Sequence, residues 1–141
     1  MDLTRSFPRS PKDKLAGLVH LPRMLDKAHA FNAGTLGEYY FPCPLDDIIL
    51  EFLQTDSQSL AKMVAEKSEA EIASWAQNRY ANRSEEEVEA VNRSITENKP
   101  DSQEKIDKFN KIKEKFNPTA DNVLTWTDLI DLEEGRWKPS V

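Results

Sequence analysis

The chain has 141 residues, 38% of them hydrophobic and 31% charged, with a formal net charge of −6, which predicts a single domain over residues 1–141 with a thin hydrophobic core. The acidic charge excludes general binding to nucleic acid, and with no signal-peptide pattern and no apolar run near the ~18 residues that cross a bilayer, we expect no membrane association and a cytoplasmic location. A single cysteine excludes an internal disulfide and a multi-cysteine metal site, and is typical of a reducing compartment.

The first third of the chain contains three helix signals. Ser10 as N-cap, with Pro11 and then Asp13 at the capping-box position, predicts a very short helix that stops at Gly17. A second helix is predicted from Pro22 to a stop at Gly34. A third helix begins at Pro44 and is the most hydrophobic stretch, so we expect it at the centre of the core. The residues predicted to point inward from these two helices are Met24, Leu25, Ala28, Phe31, Leu45, Ile48, Ile49, Phe52 and Leu53.

The rest of the chain reads as a series of more polar helices, each preceded by a capping residue. The predicted N-caps are Asp56 or Ser57, Ser68 with Glu71, Ser84 with Glu87, and Asp101 with Glu104. A last helix is predicted from about Trp126 to Glu134, ended by Gly135. No strand is convincing, so we predict an all-α fold: a single compact domain of six or seven helices with no substantial sheet.

The charge is distributed unevenly along the chain. Residues 1–29 carry six Lys or Arg against three Asp, a net charge of +3, and the remainder carries −9. One interpretation is that this basic segment packs on the acidic helical body. The other is that its cations bind a small anionic ligand.

The second predicted helix has a polar arc. At about 100° per residue, Arg23, Asp26 and Lys27 lie opposite the apolar residues, and His29 lies at the border between the two faces. Arg23 and Lys27 either pair with carboxylates of the same chain or bind a phosphate or carboxylate ligand.

His20 lies in the turn "LVHLP" between aliphatic residues. It is either a buried histidine that hydrogen-bonds a turn carbonyl, or a general base or metal ligand that needs a partner, for which the candidates are Glu38, Asp46 and His29. No pair of histidines has the spacing of a zinc site, so we predict no metal and no cofactor.

Cys43 is flanked by Pro42 and Pro44 and is predicted to be the N-cap of the third helix. A helix N-terminus favours a thiolate, whereas Asp46 and Asp47 in the first turn oppose one. A structural cysteine, a nucleophile and a redox role therefore all remain open. Three aromatic residues precede this cysteine and Pro42: Tyr39, Tyr40 and Phe41. They are predicted to pack on the core, with one tyrosine hydroxyl hydrogen-bonded, and also to line a pocket.

The segments "PRSP", "LPRMLDKA", "GTLGEY", "CPLD" and "DLEEGR" together resemble a bacterial family catalogued as domain of unknown function 5069. The resemblance covers essentially the whole chain. It implies a stand-alone bacterial domain and supplies neither a substrate nor a reaction.

Two functions are consistent with the residues, and no pattern identifies a catalytic residue. In the first, a small anion such as a phosphate or carboxylate binds between the basic segment, the "GTLGEYY" loop and the end of the last helix. The predicted ligand-binding residues are Arg9, His20, Arg23, Lys27, Glu38 and Tyr39, with Gly34 and Gly37 allowing close backbone approach. The alternative is a protein–protein interaction module without catalytic activity, in which the aromatic residues anchor a partner.

Overall fold

A computed structural model describes residues 1–139 of the chain. Within this range there are seven helices: α1 (Leu21–Ala33), α2 (Pro44–Phe52), α3 (Ser57–Glu66), α4 (Glu69–Arg79), α5 (Glu85–Thr96), α6 (Gln103–Phe116) and α7 (Trp126–Glu133). Two short strands, β1 (Lys14–Leu15) and β2 (Leu18–Val19), form an antiparallel hairpin. The prediction of an all-α domain of six or seven helices without a substantial sheet is confirmed.

Most of the helices begin where the capping residues predict. Asp56, Ser68 and Ser84 are the N-caps of α3, α4 and α5, and each side chain accepts a hydrogen bond from a backbone N–H in the first turn. At α6 the prediction was wrong by one residue, because the N-cap is Ser102 and the Asp101 carboxylate instead pairs with the ammonium of Lys105 at 3.0 Å.

The short helix predicted from Ser10 to Gly17 does not form. Ala16 and Gly17 have φ values of 53° and 76°, so they make the two-residue turn of the β1–β2 hairpin. The Ser10 hydroxyl donates to the Asp131 carboxylate at 2.8 Å, and the Asp13 carboxylate accepts from the Ser10 N–H at 3.2 Å. The Ser10 hydroxyl also accepts the Lys12 N–H at 3.1 Å, so the local capping bonds form but they close only one turn, which leads into the hairpin.

The hydrophobic residues form a main cluster and a smaller one. The main cluster joins the hairpin to helices α1–α5, and its largest fully buried side chains are Leu18, Leu21, Met24, Leu25, Ile49, Leu53, Leu60, Ile72 and Ile95. The smaller cluster lies between α6 and α7 and consists of Phe109, Ala120, Val123, Leu129 and Leu132. Phe31, predicted to point inward, is 49% exposed and packs against the ring of Phe41.

Helix α1 is buried on almost every side. Its polar arc is covered as completely as its apolar face: Arg23, Asp26 and Lys27 are only 4%, 7% and 2% exposed. The N-terminal segment, α2 and the end of α7 supply the groups that bond this arc. Of the described helices, none combines the length and apolarity of a bilayer-spanning segment.

Candidate functional site

Four polar side chains meet at the junction of α1 and α2, and we call them the Asp46 cluster: His20, Lys27, Cys43 and Asp46. The two oxygens of the buried Asp46 carboxylate lie 2.6 Å from His20 Nε2 and 2.6 Å from Lys27 Nζ. The carboxylate also accepts the Cys43 backbone N–H at 2.9 Å, and Lys27 Nζ lies 3.2 Å from Cys43 Sγ. One carboxylate therefore holds the three other members of the cluster.

The protonation states in the Asp46 cluster follow from burial and charge. Burial alone would raise the pKa of Asp46, but hydrogen bonds and the charge of Lys27 outweigh it and lower this pKa to about 2. Burial lowers the pKa of His20 in spite of its bond to Asp46. Burial, and then the negative charge of Asp46, raise the pKa of the Cys43 thiol. At neutral pH the cluster thus contains a carboxylate, a neutral imidazole and a thiol.

His20 is fully buried, with Asp46 as its partner, one of the three candidates that the sequence suggested. Because the carboxylate accepts from Nε2, we assign the neutral ring proton to Nε2. Nδ1 is then a bare acceptor, and it has no hydrogen-bond partner among the described residues. His29, at the border of the polar arc, is exposed.

The side chains of His20, Cys43 and Asp46 could hold a metal ion, since one ligand atom from each lies within 4.8 Å of the others. Sequence reasoning did not find this group, because its members come from a turn and a helix cap rather than from one motif. The ammonium of Lys27 contacts both Asp46 and Cys43 and supplies the positive charge that the carboxylate requires. A metal would have to displace it, so the arrangement disfavours a cation.

A second group of buried charges surrounds Glu134 at the end of α7. The Arg23 guanidinium donates to both oxygens of Glu134, at 2.8 and 2.9 Å, and the Tyr39 hydroxyl donates to the same carboxylate at 2.7 Å. Arg136 also pairs with Glu134. Burial and the bond to Glu134 raise the pKa of Tyr39, so its hydroxyl remains protonated.

The predicted cations are all engaged with carboxylates of the same chain. The backbone N–H of Arg9 and its guanidinium donate to Asp26 at 2.9 to 3.1 Å, and the guanidinium also pairs with Glu69. Of the six predicted ligand-binding residues, the structure brings His20 together with Lys27 and Arg23 together with Tyr39. It does not bring all six into one site.

A cavity of about 680 Å³ lies where the sequence placed the ligand pocket, and we call it the Glu133 cavity. Glu38 and Tyr39 line it, together with Leu3, Thr4, Phe7, Gly37, Phe116, Glu133 and Glu134. Burial and the neighbouring Glu134 raise the pKa of Glu133. Three carboxyl groups and no cation line this cavity. Glu134 is paired with Arg23 and Arg136, but Glu38 and Glu133 leave the cavity with a charge opposite to the one that an anionic ligand requires.

A second cavity, of about 400 Å³, adjoins the Asp46 cluster, and we call it the Cys43 cavity. Its walls are mainly apolar and two lysines of α6 lie at its rim; the lining residues are Cys43, Pro44, Leu45, Ile48, Asn98, Lys105, Lys108, Trp126 and Ile130. Only one feature of the sequence indicated this site, the cysteine between two prolines. The other walls come from distant helices, which no local pattern connects to Cys43.

No curated protein gives a significant match to the chain. A sequence model of the family described as "Domain of unknown function (DUF5069)" matches residues 5–136, which confirms the resemblance seen in the sequence. Both the Asp46 cluster and the residues of the Cys43 cavity fall within the matched range. The protein, with its buried charges on α1 and its two cavities, belongs to the DUF5069 family.

Proposed function

We propose that the protein binds a small organic anion with an apolar body, such as a carboxylate, in the Cys43 cavity. The observation that carries this proposal is the combination of apolar walls with two cationic residues, Lys105 and Lys108, among the lining side chains. Small-molecule sites are typically apolar pockets of roughly 300 to 1,000 Å³ with a few polar groups that fix orientation. The volume of about 400 Å³ falls in this range.

The charges around the two cavities support an anion in the Cys43 cavity rather than in the Glu133 cavity. Lys108 makes no ion pair with any described residue, and Lys105 pairs only with the largely exposed Asp101. These ammonium groups are therefore free to bind a carboxylate at the rim. The proposal keeps the ligand chemistry that the sequence suggested and assigns the contact to cations of α6, since Arg9, Arg23 and Lys27 are already neutralised.

A fluorescence titration with anilinonaphthalene sulfonate tests the proposal, because the fluorescence of this largely apolar anion increases when a pocket shields it from water. Ile48→Trp fills the cavity and should abolish saturable binding. The double variant Lys105→Ala/Lys108→Ala should weaken binding about two- to tenfold, the scale of two exposed charges. Lys111→Ala, at an exposed position of α6 outside the cavity, is the matched control and should bind as the wild type does.

Competition with octanoate and with octanamide separates charge from shape. Octanoate should displace the probe at lower concentration than the neutral amide of the same length. Equal displacement by the two compounds, or undiminished probe binding by Ile48→Trp with a native circular dichroism spectrum, would refute an anion site in this cavity.

The interaction module remains the second candidate, and one observation favours it. Tyr40 is 79% exposed, whereas its neighbours Tyr39 and Phe41 are half-buried. An exposed tyrosine is a frequent anchor in interfaces. Tyr40→Ser should leave stability and probe binding unchanged. A loss of partner binding in this variant would therefore be due to the tyrosine and not to the Cys43 cavity.

A further inference from the structure

Lys27 and Cys43 form an unusual pair in the Asp46 cluster. Lys27 Nζ lies 3.2 Å from Cys43 Sγ, and the lysine is only 2% exposed. The ammonium is also held by Asp46 at 2.6 Å, and the backbone N–H of Cys43 is bonded to the same carboxylate. A nitrogen and a sulfur are thus fixed in contact by a shared third group.

The sulfur of this pair is accessible to a small reagent. Cys43 is half-buried and lines the Cys43 cavity, whereas Lys27 does not line it. A reagent of the size of a hydroperoxide can therefore meet the thiol from the cavity, with the amine on the protein side of the sulfur. Cys43 is the only cysteine in the sequence, so oxidation cannot end in an internal disulfide.

From this geometry we propose that Cys43 is a redox modification site, which a hydroperoxide oxidises and which then cross-links covalently to Lys27. The inference is independent of the organic anion proposed above. A sulfenic acid condenses with a nearby thiol or nitrogen, and here the nitrogen in contact with Sγ is Nζ of Lys27.

The reaction has two balanced steps. In the first, the thiol of Cys43 releases its proton and the thiolate attacks the hydroperoxide, so that the O–O bond breaks and the sulfur takes up OH as a sulfenic acid. The departing alkoxide or hydroxide takes up a proton in exchange for the one that the thiol released and leaves as alcohol or water. In the second, Nζ of Lys27 attacks the sulfur, an N–S bond forms, the S–O bond breaks and water leaves. The sulfur is oxidised by two electrons and the peroxide is reduced by the same two.

The second step requires a neutral amine, so the ammonium of Lys27 must first give up a proton. Its hydrogen-bond partner Asp46, whose pKa is lowered to about 2, is too weak a base to keep this proton, which therefore passes to hydroxide or to a buffer base in the cavity. His20 Nδ1, which is fully buried and has no partner among the described residues, is an acceptor in the same cluster. Burial raises the pKa of the Cys43 thiol, so the reaction should be slow at neutral pH and accelerate as the pH rises.

The cross-link would change the electrostatics of the cluster. An N–S bond makes Lys27 uncharged, so Asp46 loses its ion-pair partner and retains only the hydrogen bonds from His20 and the Cys43 backbone. It also joins α1 to the N-cap residue of α2 beside the cavity. Oxidation would thus alter one wall of the Cys43 cavity.

Mass spectrometry of the full chain, treated with excess hydrogen peroxide and quenched with catalase, tests this inference. We expect a species that has lost two hydrogen atoms and that dithiothreitol restores. Because the link blocks tryptic cleavage after Lys27, digestion should yield one peptide of residues 24–62 with the same mass deficit. A link that retains one oxygen between nitrogen and sulfur, formed by a second peroxide equivalent, would also support the cross-link.

Two variants localise the link. Lys27→Arg keeps a cation but removes the nucleophilic amine, so the deficit should vanish and dimedone should trap the sulfenic acid. Lys105→Arg, at the rim of the same cavity, should cross-link as the wild type does. If Lys27→Arg does not fold, the presence or absence of the cross-linked tryptic peptide 24–62 in the wild type decides whether the link forms. The inference would be overturned if Cys43 were oxidised to nothing but sulfinic or sulfonic acid, with normal cleavage after Lys27. A link from Cys43 to Lys105 or Lys108 would also overturn it.

Discussion

Charged residues of the same types have different surroundings in two regions of the molecule. On α1, Arg23 and Lys27 are at most 4% exposed, and the carboxylates they pair with each accept further hydrogen bonds. On α5 and α6, the side chains of Arg93 and Lys105 are 57% and 58% exposed, and each pairs with a carboxylate four residues away on or beside its own helix.

The difference shows that the positive charges of Arg23 and Lys27 are neutralised inside the protein. A buried ion that loses its partner destabilises the fold strongly, whereas an exposed pair is weak because water and salt replace the partner. Arg23 and Lys27 are thus each matched to one particular buried carboxylate, at the end of α7 and in α2. Four substitutions or conditions test this contrast.

The largest effect is expected for Asp46→Ala. The substitution leaves Lys27 buried without a partner and removes the acceptor of His20 and of the Cys43 backbone N–H. The free energy of unfolding should fall by about 3 to 5 kcal/mol in urea titrations. Asp101→Ala, which removes only an exposed partner of Lys105, should lower it by at most about 0.5 kcal/mol. Equal losses in the two variants would contradict the contrast.

Arg23→Ala should have a somewhat smaller effect, of about 3 kcal/mol. The reason is that Glu134 keeps its bonds to Arg136 and Tyr39 after the guanidinium is lost, so its carboxylate is not left alone. The matched control is Arg93→Ala, which should cost less than about 0.5 kcal/mol. Thermal unfolding with and without phosphate sharpens the test: an anion bound by Arg23 would stabilise the wild type, and we expect no such stabilisation.

The sequence predicted those parts of the fold that depend on neighbouring residues. Ser68 and Glu71 bond each other's backbone N–H groups at the start of α4, and this interaction requires nothing outside the segment. Ser10 and Asp13 present the same local pattern and make local bonds to the N–H groups of Lys12 and Ser10, but a hairpin follows instead of a helix. The local pattern therefore specified the first turn, whereas the contacts that replace the helix, the pairing of β1 with β2 and the bond from Ser10 to Asp131, lie outside it.

The candidate site was predictable only in part for the same reason. Helical periodicity placed Arg23 and Lys27 on one arc. It could not show that each of them forms a buried ion pair, with Glu134 and with Asp46 respectively. The Cys43 cavity depends on Lys108 and Trp126, which approach α2 only through the packing of α6 and α7. The residue types predicted anion binding, but only the tertiary structure shows that the cations of α1 are paired while Lys108 of α6 has no ion pair among the described residues.

A smaller effect is expected from pH. His20 is held neutral, because burial lowers its pKa below the ordinary 6.5, whereas the unfolded chain binds the proton near 6.5. Stability should therefore be full above this value and fall as the pH drops below it, by at most about 1.4 kcal/mol per pH unit. Chemical unfolding between pH 7 and 5 measures this slope, and the charged groups that face the ring are Asp46, Lys27 and Arg23.

Two substitutions assign the pH slope to one histidine. His20→Gln retains a side-chain donor for Asp46 and should remove the dependence, apart from the general titration of surface carboxyl groups. His29→Gln changes an exposed histidine and should leave the slope as in the wild type. A slope that disappears in His29→Gln and persists in His20→Gln would contradict the assignment.

The smallest effect is expected for Cys43→Ala, which removes a half-buried sulfur and leaves every bond of Asp46 in place. The loss should be about 1 kcal/mol, the scale of a small buried group, because alanine leaves only a minor gap beside Lys27. Burial and the charge of Asp46 raise the pKa of the thiol, so iodoacetamide should label the native protein slowly at neutral pH and faster in urea. Rapid stoichiometric labelling of the folded protein would instead show that Lys27 activates the sulfur, and the cysteine would then be a nucleophile. A loss as large as that of Asp46→Ala would show that the thiol, and not the carboxylate, organises the cluster.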